Sequence, residues 1–176
     1  MKKNCLNLFN SRTKDLNNAL IKQILNLKKS HYKYSLKSQK IWFNKNVNDD
    51  DIHLILTVNK KVIGYNLLRK KRCKIKFKKN EVLSSILIFD TLLLNSRYRN
   101  KGLSKKIMIK SNHIINQKKK ISVLVCHKKL IKFYERFNWK KAPKNIVEYA
   151  NLKKNKYAMF YGKKFIKKEI KKLIIL

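Results

Sequence analysis

One stretch limits what this chain can fold into. Ser84 to Trp139 reads SSILIFDTLLLNSRYRNKGLSKKIMIKSNHIINQKKKISVLVCHKKLIKFYERFNW, a succession of strand, tight basic loop, helix, strand and helix. The apolar run from Ile86 to Leu94 ends in a polar corner at Asn95-Ser96, and Arg97 to Ser104 then opens a helical pattern. A loop at a helix start offers backbone N–H groups and the positive end of the dipole to an anion. Gly102 falls there, one of three glycines in 176 residues, at a point where backbone must come close to a ligand.

The chain before this stretch has a different rhythm. Cys5 to Phe9 alternates as a strand, and Ser11 or Thr13 is placed to cap the helix that follows. Leu16, Leu20, Ile21, Ile24, Leu25 and Leu27 give that helix an apolar stripe. His31 to Ser38 reads as a connection, and Leu36 to Val47 as a second helix with Ile41, Trp42 and Phe43 inward. Asp49-Asp50-Asp51 is the one acidic cluster. Three consecutive carboxylates do not face one ligand on regular structure, so it reads as a loop leading into a strand rather than a metal site. Ile52 to Val58 and Val62 to Leu68, joined at Asn59-Lys60-Lys61, make a hairpin, with Gly64 marking a bulge. Cys73 to Phe77 reads as a further antiparallel strand, and Lys79-Asn80-Glu81 as a turn. Antiparallel strands followed by helix, strand and helix define an α+β domain with a mixed, mostly antiparallel sheet.

At this point the motifs resemble a known family. Arg99-Asn100-Lys101-Gly102-Leu103-Ser104 resembles the R/Q-x-x-G-x-G/A signature of the GNAT superfamily of acetyl-CoA-dependent N-acetyltransferases. Leu94 to Arg99 is similar to the strand-end phrase that precedes it, and Phe133 to Trp139 (FYERFNW) to the family's F-Y-E-K-L-G-F ending. The resemblance covers about a third of the chain at motif level. It implies helices flanking the sheet, a V-shaped split between the two central strands, and acetyl-CoA as acyl donor and cosubstrate, with no metal.

The resemblance also assigns residues. Backbone groups of Leu92, Leu93 and Leu94 would bond the pantetheine arm and polarise the thioester, as fixed donors do in an oxyanion hole. Arg99, Asn100, Lys101, Gly102, Leu103, Ser104 and Lys105 would hold the pyrophosphate. Asn100 stands where the family commonly has Gly, and Ser104 where it has Gly or Ala; both are small and polar, and Asn tolerates left-handed geometry. His127 stands where the family often has Asn, near the cofactor arm. Tyr134 matches the Tyr that protonates the departing thiolate; the alternative is packing in an aromatic cluster with Phe133 and Phe137. Asp90 interrupts an apolar strand, which costs free energy unless the carboxylate is paired or hydrated. It is either a base for the acceptor amine or half of a structural ion pair. Alternation puts it on one strand face with Ile86, Ile88 and Leu92, ahead of a splay near Leu93 to Ser96. Tyr32, Tyr34 and Trp42 either touch the acceptor or pack. His113 has no partner at ligand spacing. Cys126 and His127 are neighbours on a strand, so they point to opposite faces and make no nucleophile pair.

Downstream, Ile121 to Val125 is a strand covered on both faces, Leu130 to Phe137 a short helix, Lys141 to Asn151 a loop, and Lys156 to Tyr161 the last strand. Residues 1–162 then form the acyltransferase domain. Residues 163–176 read as a basic amphipathic helix with Phe165, Ile166, Ile170, Leu173 and Ile174 on one side. That tail would dock on the domain, on a second subunit of a homodimer, or on an anionic membrane.

Charge matters for partners. Lys and Arg number 46 against nine Asp and Glu, a net charge of +37, which attracts any polyanion. Inflated Lys, Asn and Ile are also what AT-rich codons produce, and the lysines are spread over the whole length. The reading is an N-acetyltransferase acting on a small-molecule amine, with an amino sugar or nucleotide-linked amino sugar first among acceptors. The alternative is a basic nucleic-acid-binding module on a catalytically degenerate version of the same fold. Three cysteines without metal-like spacing suggest a reducing, cytoplasmic setting. No apolar run nears the ~18 residues of a membrane span, and no apolar segment follows Met1-Lys2-Lys3 as a signal peptide requires.

Overall fold

The computed structural model describes residues 5–149, 152, 155–162 and 170–176. The chain divides into two units, one of Met1–Arg69 with Thr91–Ser111, the other of Lys70–Asp90 with Asn112–Leu176.

In the first unit, strand β1 (Leu6–Arg12) leads to helices α1 (Asn18–Lys29) and α2 (Leu36–Asn46). Asn17, rather than Ser11 or Thr13, caps α1, its side chain accepting from the Leu20 N–H at 2.8 Å. Thr13 is committed instead to the Asp51 carbonyl and the His53 ring. Ser35 caps α2. Strands β2 (Ile52–Val58) and β3 (Lys61–Phe77) follow, and β2 pairs antiparallel with both β1 and β3.

The β2–β3 turn is Asn59-Lys60, with φ of 48° and 65°. Two left-handed residues are what a two-residue hairpin needs to match strand twist. Asn accepts that geometry readily; Lys does so at a cost of about 1 kcal/mol. Lys60→Gly should therefore raise the urea midpoint, by a net of about 0.5 kcal/mol once the looser unfolded chain is counted. A lower midpoint would mean that Lys60 makes a stabilising contact of its own.

The β2–β3 register shifts between Leu56↔Gly64 and Thr57↔Val62, leaving Ile63 as the extra residue of a bulge beside Gly64. A Cβ at position 64 would stand 2.9 Å from Ile107 Cδ1 and 3.2 Å from Leu56 Cβ, so close packing also keeps this position small.

Ile24 and Leu27 of α1 pack on Ile55, Tyr65, Leu67 and Leu93. In α2, Phe43 is buried and Trp42 half-buried, but Ile41 is 58% exposed. The expectation that all three face inward fails because consecutive helical residues are about 100° apart. Trp42 lies between two cations, the Lys28 Nζ 4.0 Å from its ring centroid and the Arg69 guanidinium carbon 5.2 Å away. Tyr32 and Tyr34 are exposed.

The second unit begins partway along β3. The two strands expected at 62–68 and 73–77 are one, because Arg69 to Arg72 continues the extended chain instead of breaking it. Long basic side chains can alternate outward while their stems cover apolar surface. Strand β4 (Glu81–Leu94) and helix α3 (Leu103–Gln117) also run through both units. Beyond them lie β5 (Ser122–His127), α4 (Ile131–Glu135), β6 (Lys140–Lys141), β7 (Val147–Glu148), β8 (Lys156–Tyr161) and β9 (Ile170–Ile175).

β5 pairs parallel with β4 at Leu87↔Ser122 and Ile88↔Val123, and the Ser122 hydroxyl donates to the Leu87 carbonyl at 2.7 Å. The register ends there, consistent with a V-shaped split. On its other side β5 pairs antiparallel with β8 along its whole length.

The expected C-terminal helix is not found over its described part. Ile170–Ile175 is a strand, antiparallel to β3 from Phe77↔Ile170 to Cys73↔Ile175 and parallel to β7. Leu173 and Ile175 join a core of Cys73, Ile75, Ile86, Ile88 and Val123. A run such as Leu173-Ile174-Ile175 fits helix or strand by hydropathy alone, and an available strand partner decides it. Phe165 and Ile166 lie outside the described residues. The architecture is α+β, with a mixed, mostly antiparallel sheet and helices. Among the described residues, no helix is long and apolar enough to cross a membrane.

Candidate active site

The candidate residues of the first unit follow a break in β4. Thr91 has φ +57°, a left-handed conformation that is a genuine outlier for a β-branched residue. Its carbonyl accepts from the Asn66 side-chain amide at 3.5 Å, and the Ser111 hydroxyl lies 3.0 Å from the Asn66 Oδ1. Asn66 and Ser111 are fully buried. The break comes earlier than the splay expected near Leu93 to Ser96, and no Gly, Pro or Asn announces it. Two-residue alternation therefore holds from Ile86 to Asp90 but does not carry through to Leu92.

Beyond it, Leu93 is buried while Leu92 and Leu94 are half-buried. The Asn95 N–H donates to the Ile63 carbonyl at 2.7 Å. The Asn95 side chain accepts from the Arg97 N–H, capping a single 3-10 turn, Ser96–Tyr98. Arg99 is extended, Asn100 has φ +60° and Gly102 φ +69°. These two left-handed residues turn the chain into α3, whose 15 residues start at Leu103. Leu103 is buried and Ser104 half-buried; Arg99, Asn100, Lys101, Gly102 and Lys105 are exposed. The Lys101 Nζ sits 5.8 Å from the Tyr98 ring centroid.

This geometry leaves room for an anion. A Cβ built on Gly102 meets nothing within 4 Å, so the backbone there lies open to a ligand, and the helix N-terminus adds its dipole. The Leu94 carbonyl is already used: it accepts from His31 Nε2 at 2.9 Å and from Arg99 Nε at 3.4 Å. Nothing in the sequence pattern pointed to His31, which lies in a connection without any motif spacing.

The remaining candidate residues belong to the other unit. Asp90 is half-buried, next to buried Phe89. Tyr134 is 8% exposed. Its ring meets Phe89 at 6.1 Å, Phe133 at 5.1 Å and Trp139 at 6.3 Å, each edge-on or steeply inclined. An aromatic cluster around Tyr134 is therefore real, and wider than Phe133 and Phe137. Trp139 anchors it, donating its indole N–H to Asn112 at 3.0 Å and stacking on Tyr161. Asn138, with φ +63°, ends the turn after α4. His127 is exposed at the end of β5, opposite Lys156. Cys126 is buried, and burial pushes its thiol up to about 11. Such a thiol stays protonated and is no nucleophile at neutral pH. His113 is exposed on α3.

The architecture is the GNAT N-acetyltransferase fold. An acyl-CoA N-acyltransferase from Pseudomonas aeruginosa matches 90% of this chain over its own full length, with TM-score 0.67 and 13% identity. NAA60 of Arabidopsis thaliana, solved with a bisubstrate analogue, matches 88% of this chain and 97% of its own, with TM-score 0.61 and 10% identity. The N-acetyltransferase YlbP of Bacillus subtilis, solved with coenzyme A, matches 89% of this chain and 97% of its own, with TM-score 0.56 and 14% identity. The likeness is one of backbone: no protein-family model matches the sequence, and no curated protein does.

Proposed function

We propose that this chain transfers the acetyl group of acetyl-CoA directly to a primary amine. The observation that carries this reading is the left-handed Asn100–Gly102 corner opening α3, directly after a kinked strand end and beside an exposed Arg99. Acetyl-CoA would supply an activated thioester. Arg99 to Lys105 would hold its phosphates, through backbone N–H groups and basic side chains. Backbone groups of Leu92, Leu93 and Leu94 would align the pantetheine arm, and an N–H among them would take up charge on the carbonyl oxygen. Asp90 would accept the amine's proton, directly or through water. As the C–N bond forms and the C–S bond breaks, Tyr134 would give its hydroxyl proton to the leaving thiolate. His127 would line the cofactor arm. An amino sugar or nucleotide-linked amino sugar leads the list of acceptors, the nucleotide-linked form because its anionic phosphates suit a chain of net charge +37.

Isothermal titration with acetyl-CoA is the first test, and a thiol-release screen over amino sugars, nucleotide-linked amino sugars, aminoglycosides and peptide amines is the second. Saturable binding with release on one amine class supports the reading. The charge favours one rival, a polynucleotide binder. No acetyl-CoA binding, together with tight polynucleotide binding that weakens steeply with salt, would establish that rival instead.

A further inference from the structure

We propose that His31, just beyond α1, is a positioning residue that sets the Arg99 guanidinium for phosphate. The inference rests on the reading of Arg99 to Lys105 as a diphosphate loop. Its starting point is a three-way contact: His31 Nε2 to the Leu94 carbonyl at 2.9 Å, Arg99 Nε to the same carbonyl at 3.4 Å, and Arg99 Nη2 to His31 Nδ1 at 3.2 Å.

The chemistry of the partners fixes the proton. A carbonyl oxygen can only accept, so Nε2 carries the hydrogen. A guanidinium can only donate, so Nδ1 offers a lone pair. Only the neutral Nε2–H tautomer satisfies both. Burial, opposed in part by the Leu94 carbonyl, and the Arg99 charge together hold the His31 pKa below its ordinary value. The ring is therefore neutral at physiological pH and the contact closed.

Two consequences follow for the loop. Arg99 commits two of its five N–H bonds inward, which leaves three on an exposed side chain to meet a phosphate as a fork. A long side chain ordered before binding does not lose that freedom when the ligand arrives. The end of β4 is held by the same ring, since its last carbonyl is the shared acceptor. His31 itself is tied to the end of α1 by its N–H to the Lys28 carbonyl at 3.1 Å.

The test is a double-mutant cycle read by coenzyme A titration of the full chain, with Tm alongside. His31→Ala should weaken coenzyme A about fivefold to tenfold in the parent, and much less in an Arg99→Ala background, where only the hold on Leu94 is lost. His31→Gln, whose amide can donate to Leu94 and accept from Arg99, should recover most of the affinity. Equal weakening with and without Arg99, or an unchanged affinity in His31→Ala, overturns the proposal. So does a His31→Gln variant as weak as His31→Ala. If His31→Ala does not fold, His31→Leu takes its place in the cycle: weakening that largely disappears in the Arg99→Ala background supports the proposal, and parent-like affinity or equal weakening in both backgrounds overturns it. A parent chain that binds no coenzyme A refutes the diphosphate reading itself, a separate result.

Discussion

Tyr134→Phe should lower turnover about a hundredfold while leaving the acetyl-CoA KM and the fold almost unchanged. The ring sits among Phe89, Phe133 and Trp139, and Phe keeps every one of those contacts. Only the hydroxyl goes. Losing one buried hydroxyl costs about 1 kcal/mol of stability. A missing general acid typically costs 10²–10⁴-fold in rate. The two roles therefore separate on one substitution. If the hydroxyl matters to packing alone, kcat stays within about twofold and only Tm moves. A thiol-release assay on the amine that the screen identifies gives the answer. Pre-steady-state measurement adds a check, because a slow protonation step should leave acetyl-CoA binding unaffected.

Acidification should destabilise the fold by about 3 kcal/mol between pH 6.5 and pH 4, through His53. The ring is 0% exposed, shares hydrogen bonds with Tyr65 at 2.8 Å and Thr13 at 2.9 Å, and lies between Phe43 and Tyr65. Burial, and secondarily the charge of Lys28, lowers its pKa to about 4. An unfolded histidine titrates near 6.5. Below pH 6.5 the unfolded chain takes up a proton that the folded chain refuses, so stability falls as pH drops and levels off below about 4. A shift of this size is worth about 3 kcal/mol. Urea unfolding of the parent and of His53→Gln at pH 7 and pH 4.5 measures the effect. The variant should be less stable at pH 7 and lose much less on acidification. Glu81 and Glu148 are held below the usual carboxylate range by lysines, and they contribute equally to both chains. Parallel pH curves for the two proteins would rule His53 out.

How much of this was legible in the sequence depended on the range of the forces involved. The Asn59-Lys60 turn, β2 and β8 are local features, written in turn residues and periodicity, and they were readable. So was the corner at Asn100 and Gly102, since few residue types accept positive φ. β9 was not, because Leu173 and Ile175 become strand residues only by meeting Cys73 and Ile75. Thr91 gave no signal because its strain is supported from outside, by Asn66 on another strand. The partners of Tyr134 were half visible: Phe133 is adjacent, whereas Phe89 comes from β4. His31 was invisible for the same reason as β9, its role being defined by Leu94 and Arg99, distant along the chain.

The pairing of β9 has a consequence for biosynthesis. Translation delivers Cys73 to Phe77 long before Ile170 to Ile175. Until then this end of β3 lacks one neighbour, and Leu173 is missing from the core of Ile86, Ile88 and Val123. Native contacts that join segments so far apart are late and slow to form. A nascent chain holding a bare, apolar strand edge is the species most exposed to mispairing on the ribosome.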